Sequence, residues 1–179
     1  MKKLSKAFMF DTSSINQIAA SSSDELLIYL SKDNGFEYYF TEIQSIEASG
    51  NISNRQTEVS ASLVKRNDAE FMANLFRIMS KLQTKYVGQI ATLRPNKWKL
   101  DGTFELLPEC EQKVELMFDD ILNNNDYQHY NDAMLALTAI INGCTLVTND
   151  KRLYKKINKY YPERAIKYKD FMSLLQNGD

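Results

Sequence analysis

The stretch from Asn131 to Asp150 constrains the fold more than any other part of the chain. Asn131-Asp132 precedes the apolar run Ala133 to Ile141, Gly143 follows it, and Thr145-Leu146-Val147-Thr148 then leads to Asn149-Asp150. A polar opening, an apolar run and a glycine where helices commonly stop predict a helix through Ile141. The β-branched residues after it predict a short strand that ends at Asn149-Asp150. Lys151 to Lys159 suits another helix, Ala165 to Tyr168 a final strand, and Asp170 to Leu175 a last helical turn or two. Helix, strand, helix and strand at this spacing predict an α/β domain with a mostly parallel central sheet flanked by helices.

The first half of the chain fits the same plan. Ala7 to Phe10 reads as a short buried strand that stops at Asp11-Thr12-Ser13-Ser14, a helix-capping turn. Ser23-Asp24-Glu25 caps an expected helix through Leu30 that ends near Asn34-Gly35, and Phe36 to Phe40 is strand-like. Thr41-Glu42 opens a helix carrying Ile43, Ile46 and Glu47. From Glu58 to Tyr86 apolar residues recur largely at helical spacing; Val87 to Gly102 reads as a break around Pro95 and Trp98, and Leu106 to Leu122 as a second helix. The middle of the chain is therefore expected to be long and largely helical, within one domain spanning residues 1–179.

Composition narrows the chemistry. Twenty-two Lys and Arg against 23 Asp and Glu exclude a globally basic nucleic-acid binder while leaving room for a local patch. Two cysteines, Cys110 and Cys144, cannot build a disulfide framework and read as buried and reduced; with one histidine, His129 in the polar run 123–129, they supply no zinc cluster. Ala133 to Ile141 is too short to cross a bilayer, and no apolar segment of signal-peptide length follows the basic start, so the expectation is a cytoplasmic protein without a membrane span. Carboxylates are what remains.

Asp11 and Asp150 each directly follow a predicted strand, and ligands of open parallel sheets sit outside the carboxyl ends of the strands. Asp132 stands in the first turn of the helix leading to the Asp150 strand, where the helix N-terminus favours its ionised form. Glu47 lies one to two turns into its helix and is a fourth candidate. Acids gathered at such a place need a counter-charge, and Mg²⁺ or Mn²⁺ takes oxygen ligands of this kind. An acid after a strand is also an ordinary helix cap; that reading stands beside the functional one at each position, and the joint occurrence favours a shared site. An aspartyl nucleophile for phosphoryl transfer would want a second acid close to Asp11, which Thr12-Ser13-Ser14 does not supply.

These segments resemble the PIN-domain family of metal-dependent nucleases, which includes the toxin ribonucleases of type II toxin–antitoxin pairs. The matching pieces are Phe8-Met9-Phe10-Asp11-Thr12-Ser13, Thr41-Glu42-Ile43-Gln44-Ser45-Ile46-Glu47, and Asn131 to Ala139 running through Gly143 to Asp150. The last block is the most specific. The resemblance implies catalysis and metal ligation by Asp11, Glu47, Asp132 and Asp150, with Glu42 a competitor for the role of Glu47. It implies supporting hydroxyls at Thr12 and Thr148, while Asn149 reads evenly as a metal or phosphate contact and as a turn former. Two departures stand out: 85 positions separate Glu47 from Asp132, so that beside the family residues 58–125 are expected to be a helical elaboration, and Lys151-Arg152 follows Asp150 where the family often has another acid.

Metal-assisted hydrolysis needs no side-chain nucleophile, which suits a chain so poor in histidine and cysteine. Eight of the 22 basic residues fall between Lys151 and Lys169; Lys151, Arg152, Lys155 and Lys156, nearest to Asp150, are the expected phosphate contacts, with a solvated helix face as the plain alternative. The expected function is thus a Mg²⁺- or Mn²⁺-dependent nuclease acting on RNA, with a protein antitoxin and a second copy of the chain as candidate partners. The alternative is a catalytically inactive scaffold of the same fold that binds RNA or protein.

Overall fold

The computed structural model describes residues 6–20, 35–41, 43–44, 80, 85–87, 91–94, 97–100, 108–123 and 129–177. In chain order these form β1 (Ala7–Phe10), α1 (Thr12–Ala20), β2 (Glu37–Thr41), β3 (Lys85–Val87), β4 (Ala91–Arg94) and β5 (Lys97–Leu100). They continue with α2 (Pro108–Leu122), α3 (Tyr130–Ile141), β6 (Thr145–Thr148), α4 (Lys151–Tyr160), β7 (Ala165–Lys167) and α5 (Tyr168–Asn177). Five strands make one sheet in the order β3-β2-β1-β6-β7, every neighbouring pair parallel. β4 and β5 form a separate antiparallel pair in which Leu93 stands opposite Trp98.

Strand periodicity divides the interior into two cores. Successive side chains of a strand point to opposite faces, so Phe8 and Phe10 pack with Ile15, Ile18, Val147, Phe171 and Leu175, between the sheet and the helices α1 and α5. Met9 and Leu146 join the other core, with α2, α3 and the buried face of α4. Phe171 meets Phe8 and Phe10 edge-on at 5.0 and 5.2 Å between ring centres, a geometry that adds about 1 kcal/mol per pair beyond area burial. The seven consecutive residues Ala133 to Ala139 are all buried. A helix apolar on every side belongs in an interior, and α3 lies there, against both α2 and β6.

The helix-to-strand turn after α3 is built by glycine. Gly143 has φ +70°, its amide bonds Ile140 O at 3.1 Å, and the Cys144 amide bonds Ala139 O at 2.8 Å. This paired closure satisfies two carbonyls of the last turn and turns the chain directly into β6. On the outer side, Asp120 clasps α2 to α4: its Oδ2 accepts from Lys159 Nζ at 2.8 Å and from the Tyr160 hydroxyl at 3.0 Å, with Lys156 Nζ 3.4 Å from Oδ1. The Lys159 hydrogen bond is the main reason the Asp120 carboxyl lies below the usual carboxylate range.

The central part of the chain departs from expectation. The helical period read through Tyr86 gives way to β3, since Lys85, Tyr86 and Val87 pair with Tyr39, Phe40 and Thr41. The expected break at 87–102 contains the β4–β5 pair, and Trp98 is a strand residue. Two four-residue runs around Pro95-Asn96 are a hairpin signal, which the nearby glycines and proline obscured. α2 agrees with the expected helix ending at Leu122, and it is a core element. Of the region read as helical elaboration, the described part is therefore mixed strand and helix. The expected Leu26–Leu30 helix, the 58–79 helix, Glu42 and Glu47 lie outside the described residues. Among the described residues no helix is long and apolar enough to cross a membrane.

Candidate active site

β1 and β6 lie side by side in the centre of the sheet, with Phe10 in register with Val147. Their carboxyl ends therefore deliver Asp11 and Asp150 to one edge. The Asp11 amide bonds Val147 O at 2.9 Å, which extends the β1–β6 pairing as far as the acid itself.

Both acids are helix caps, and the caps fix their rotamers. Asp11 Oδ1 accepts the Ser14 amide at 2.7 Å at the start of α1, and the Ser13 hydroxyl lies 2.9 Å from each Asp11 oxygen. Asp150 Oδ1 accepts the Arg152 and Leu153 amides at 2.6 and 3.0 Å at the start of α4. Each cap satisfies orphan amides of a first turn. The capping and site readings weighed against one another from sequence thus describe the same side chains. Among the described residues, Asp150 Oδ2 takes no hydrogen bond.

Thr148 joins the two acids. Its hydroxyl donates to Asp11 Oδ2 and accepts the Asp150 amide at 3.0 Å. Thr148 is fully buried, as is Ser14, whose hydroxyl bonds Val147 O at 3.1 Å. Asp11 is itself buried, at 6% exposure. Of the expected supporting hydroxyls, Thr148 touches an acid, and Ser13 and Ser14, the residues after Thr12, also bond Asp11. Asn149 is exposed.

Asp132 completes the arrangement from the first turn of α3. Its Oδ2 accepts Arg152 Nη2 at 2.9 Å, with His129 Nδ1 3.6 Å away. Burial raises its carboxyl above the ordinary value; Arg152 opposes that shift, while Asp150 and Asp11 add to it. The helix N-terminus is expected to favour the ionised form, while burial and the two neighbouring acids push the other way. The Asp132 carboxyl thus feels the negative charge of both other acids.

Gln44 buttresses the next strand end. Its Oε1 accepts the Thr41 amide and its Nε2 donates to Phe10 O, tying the end of β2 to the residue before Asp11. The Thr41-x-x-Gln44 spacing is a capping-box pattern that could have identified it. Thr41 Oγ1, buried at this edge, has no hydrogen-bond partner among the described residues.

Of the four expected phosphate contacts, two are committed within the protein. Arg152 bonds Asp132 and Ile121 O, and Lys156 bonds Asp120 O and pairs with its carboxylate. Lys151 and Lys155 are exposed one turn apart on α4. Cys144 is buried and burial pushes its thiol up to about 12, so it offers no thiolate nucleophile at neutral pH.

In chemistry the donors suit a hard divalent cation, being carboxylate oxygens gathered at two adjoining strand ends and one helix start. Among the described residues no three acidic, histidine or cysteine side chains already converge as a ligand set; Asp132 is engaged by Arg152 instead.

Over residues 36–159 the sequence matches the family model of the PIN domain. The match spans β2 to all but the last residue of α4, including Asp132 and Asp150; Asp11 precedes it and is joined to it through β1. No curated protein and no solved structure matches the chain.

Proposed function

We propose that this chain, which belongs to the PIN-domain family and so to a group whose members are generally nucleases, is a divalent-metal-dependent endoribonuclease. The observation that carries the reading is the Asp11–Thr148–Asp150 linkage at the carboxyl ends of the two central strands, with Asp132 in electrostatic contact with both acids.

In this reading Asp11, Asp132 and Asp150 hold Mg²⁺ or Mn²⁺, with Glu47 as a fourth ligand by family resemblance. The bound ion would lower the pKa of a water and neutralise charge on the phosphate. Asp11 is held by Ser13, Ser14 and Thr148, so its carboxylate needs little reorganisation during the reaction. Asp150 Oδ2, which takes no hydrogen bond among the described residues, is the atom best suited to orient the attacking water or the ion, because Oδ1 is fixed in the cap. Lys151 and Lys155 lie just beyond Asp150 and serve as phosphate contacts, with binding that weakens as salt rises. A toxin role with a protein antitoxin belongs to the same reading; growth arrest on expression, relieved by co-expressing a neighbouring gene, is its test.

The test of the activity is cleavage of structured RNA, single-stranded RNA and single-stranded DNA, with Mn²⁺, with Mg²⁺ and with EDTA. Asn also caps helices well, so Asp11→Asn and Asp150→Asn remove charge and leave folding largely intact. Metal-dependent cutting of RNA that both variants lose is the expected result. Folded protein that binds RNA and cuts nothing would favour the inactive scaffold, the reading to which the Arg152–Asp132 ion pair lends support.

A further inference from the structure

We propose that Arg152 is the resident counter-cation of the acid cluster, and that a divalent ion binds there in competition with its guanidinium. The inference rests on the metal-dependent reading above and concerns a residue that reading leaves without a role.

Arg152 lies in the first turn of α4, two positions after Asp150, and its side chain is half-buried. Nη2 donates to Asp132 Oδ2 at 2.9 Å and Nη1 donates to Ile121 O, near the end of α2, also at 2.9 Å. Two nitrogens of one rigid fork thus reach two different helices, a placement that a lysine ammonium cannot reproduce. The guanidinium sits on the acid that is electrostatically coupled to both Asp11 and Asp150. A cluster of acids needs a positive charge, and here the chain supplies one from its own sequence.

A divalent ion drawing on Asp132 would need the same carboxylate. Two cations a few ångströms apart repel even at the effective dielectric of a protein surface, so the presence of one weakens the binding of the other. Removing the guanidinium is therefore expected to tighten metal binding, and only while Asp132 is present. A purely structural role, pinning α2 and α3 to α4, would lower stability without tightening metal binding.

The experiment titrates the full chain with Mn²⁺ alone, following free Mn²⁺ by electron paramagnetic resonance, with thermal melts as the control for folding. The proteins are wild type, Asp11→Asn, Asp132→Asn, Arg152→Met, Arg152→Lys and the Arg152→Met/Asp132→Asn double variant. The expected result is that Arg152→Met binds Mn²⁺ roughly tenfold or more tightly than wild type, and that Asp132→Asn abolishes this gain. Where Arg152→Met fails to fold, Arg152→Lys keeps the charge and loses the two-point hold, and it shows the same gain in smaller measure. Unchanged or weaker binding by the folded Arg152 variants, or a gain that survives without Asp132, overturns the proposal. Equal Mn²⁺ affinity of Asp11→Asn and wild type would overturn the metal-site reading itself, and absence of Mn²⁺ binding in every protein would overturn both.

Discussion

The Thr148 hydroxyl donates to Asp11 Oδ2, so the last residue of β6 holds the acid that ends β1. Thr148 Oγ1 in turn accepts the Asp150 amide at 3.0 Å, which makes one buried hydroxyl the hinge pin between two strand-end acids. Thr148→Val keeps the shape and removes the hydroxyl, leaving Asp11 short of a donor and the Asp150 amide short of an acceptor. A loss of about 1–3 kcal/mol in denaturant unfolding is expected, with a larger proportional loss of nuclease activity than of stability. Thr148→Ser should recover most of both. Full activity in Thr148→Val would show that Asp11 is positioned by Ser13 and Ser14 alone.

The Asp120 clasp has a defined pH window. Its folded carboxyl lies below the ordinary value, chiefly through the Lys159 hydrogen bond. A depressed acid stabilises the fold above its unfolded pKa of about 4, and that contribution is lost as pH falls through the lower folded value. The same bond raises the Lys159 ammonium above its ordinary value, so the lysine stays charged throughout this window. Asp120→Asn should therefore melt below wild type at pH 6–8, and the two melting curves should converge as pH falls below about 4. A difference that stays constant down to pH 2 would assign the effect to packing.

Gly143 carries the turn between α3 and β6 at φ +70°, and a Cβ placed there would meet nothing within 4 Å. Gly143→Ala consequently costs backbone conformation alone, about 1 kcal/mol. Asn tolerates this region better and should cost less than Ala. Equal stability of the Ala variant and wild type in urea unfolding would mean that the turn relaxes to negative φ.

Legibility in the sequence follows locality. The α3–Gly143–β6–Asp150 block was readable because each of its signals lies within a few residues of the next: an apolar run, a glycine, a β-branched stretch and an acid. The placement of Asp11 beside Asp150 was readable from topology, since two parallel strands end at the same sheet edge. β3 was not readable, because its three residues are held by pairing with β2 more than 40 positions earlier. Nor was the engagement of Arg152 with Asp132 and Ile121, which depends on how α2, α3 and α4 meet. A basic residue after an acid looks the same in sequence whether it faces phosphate or closes onto a carboxylate. Ser13 and Ser14 read in the sequence only as turn residues, and their bonds to Asp11 appear once the cap is formed. The recurring lesson is that side-chain type and strand-end position were local, whereas the charge partners were tertiary.

The most direct test of the central claim, that the carboxyl edge of β1 and β6 is a cation-dependent catalytic site, is anomalous diffraction from crystals soaked in Mn²⁺. The expected result is an anomalous peak bound by the carboxylates of Asp11 and Asp150, lost in Asp11→Asn crystals grown the same way. Full wild-type order at that edge with no peak at saturating Mn²⁺ would contradict it.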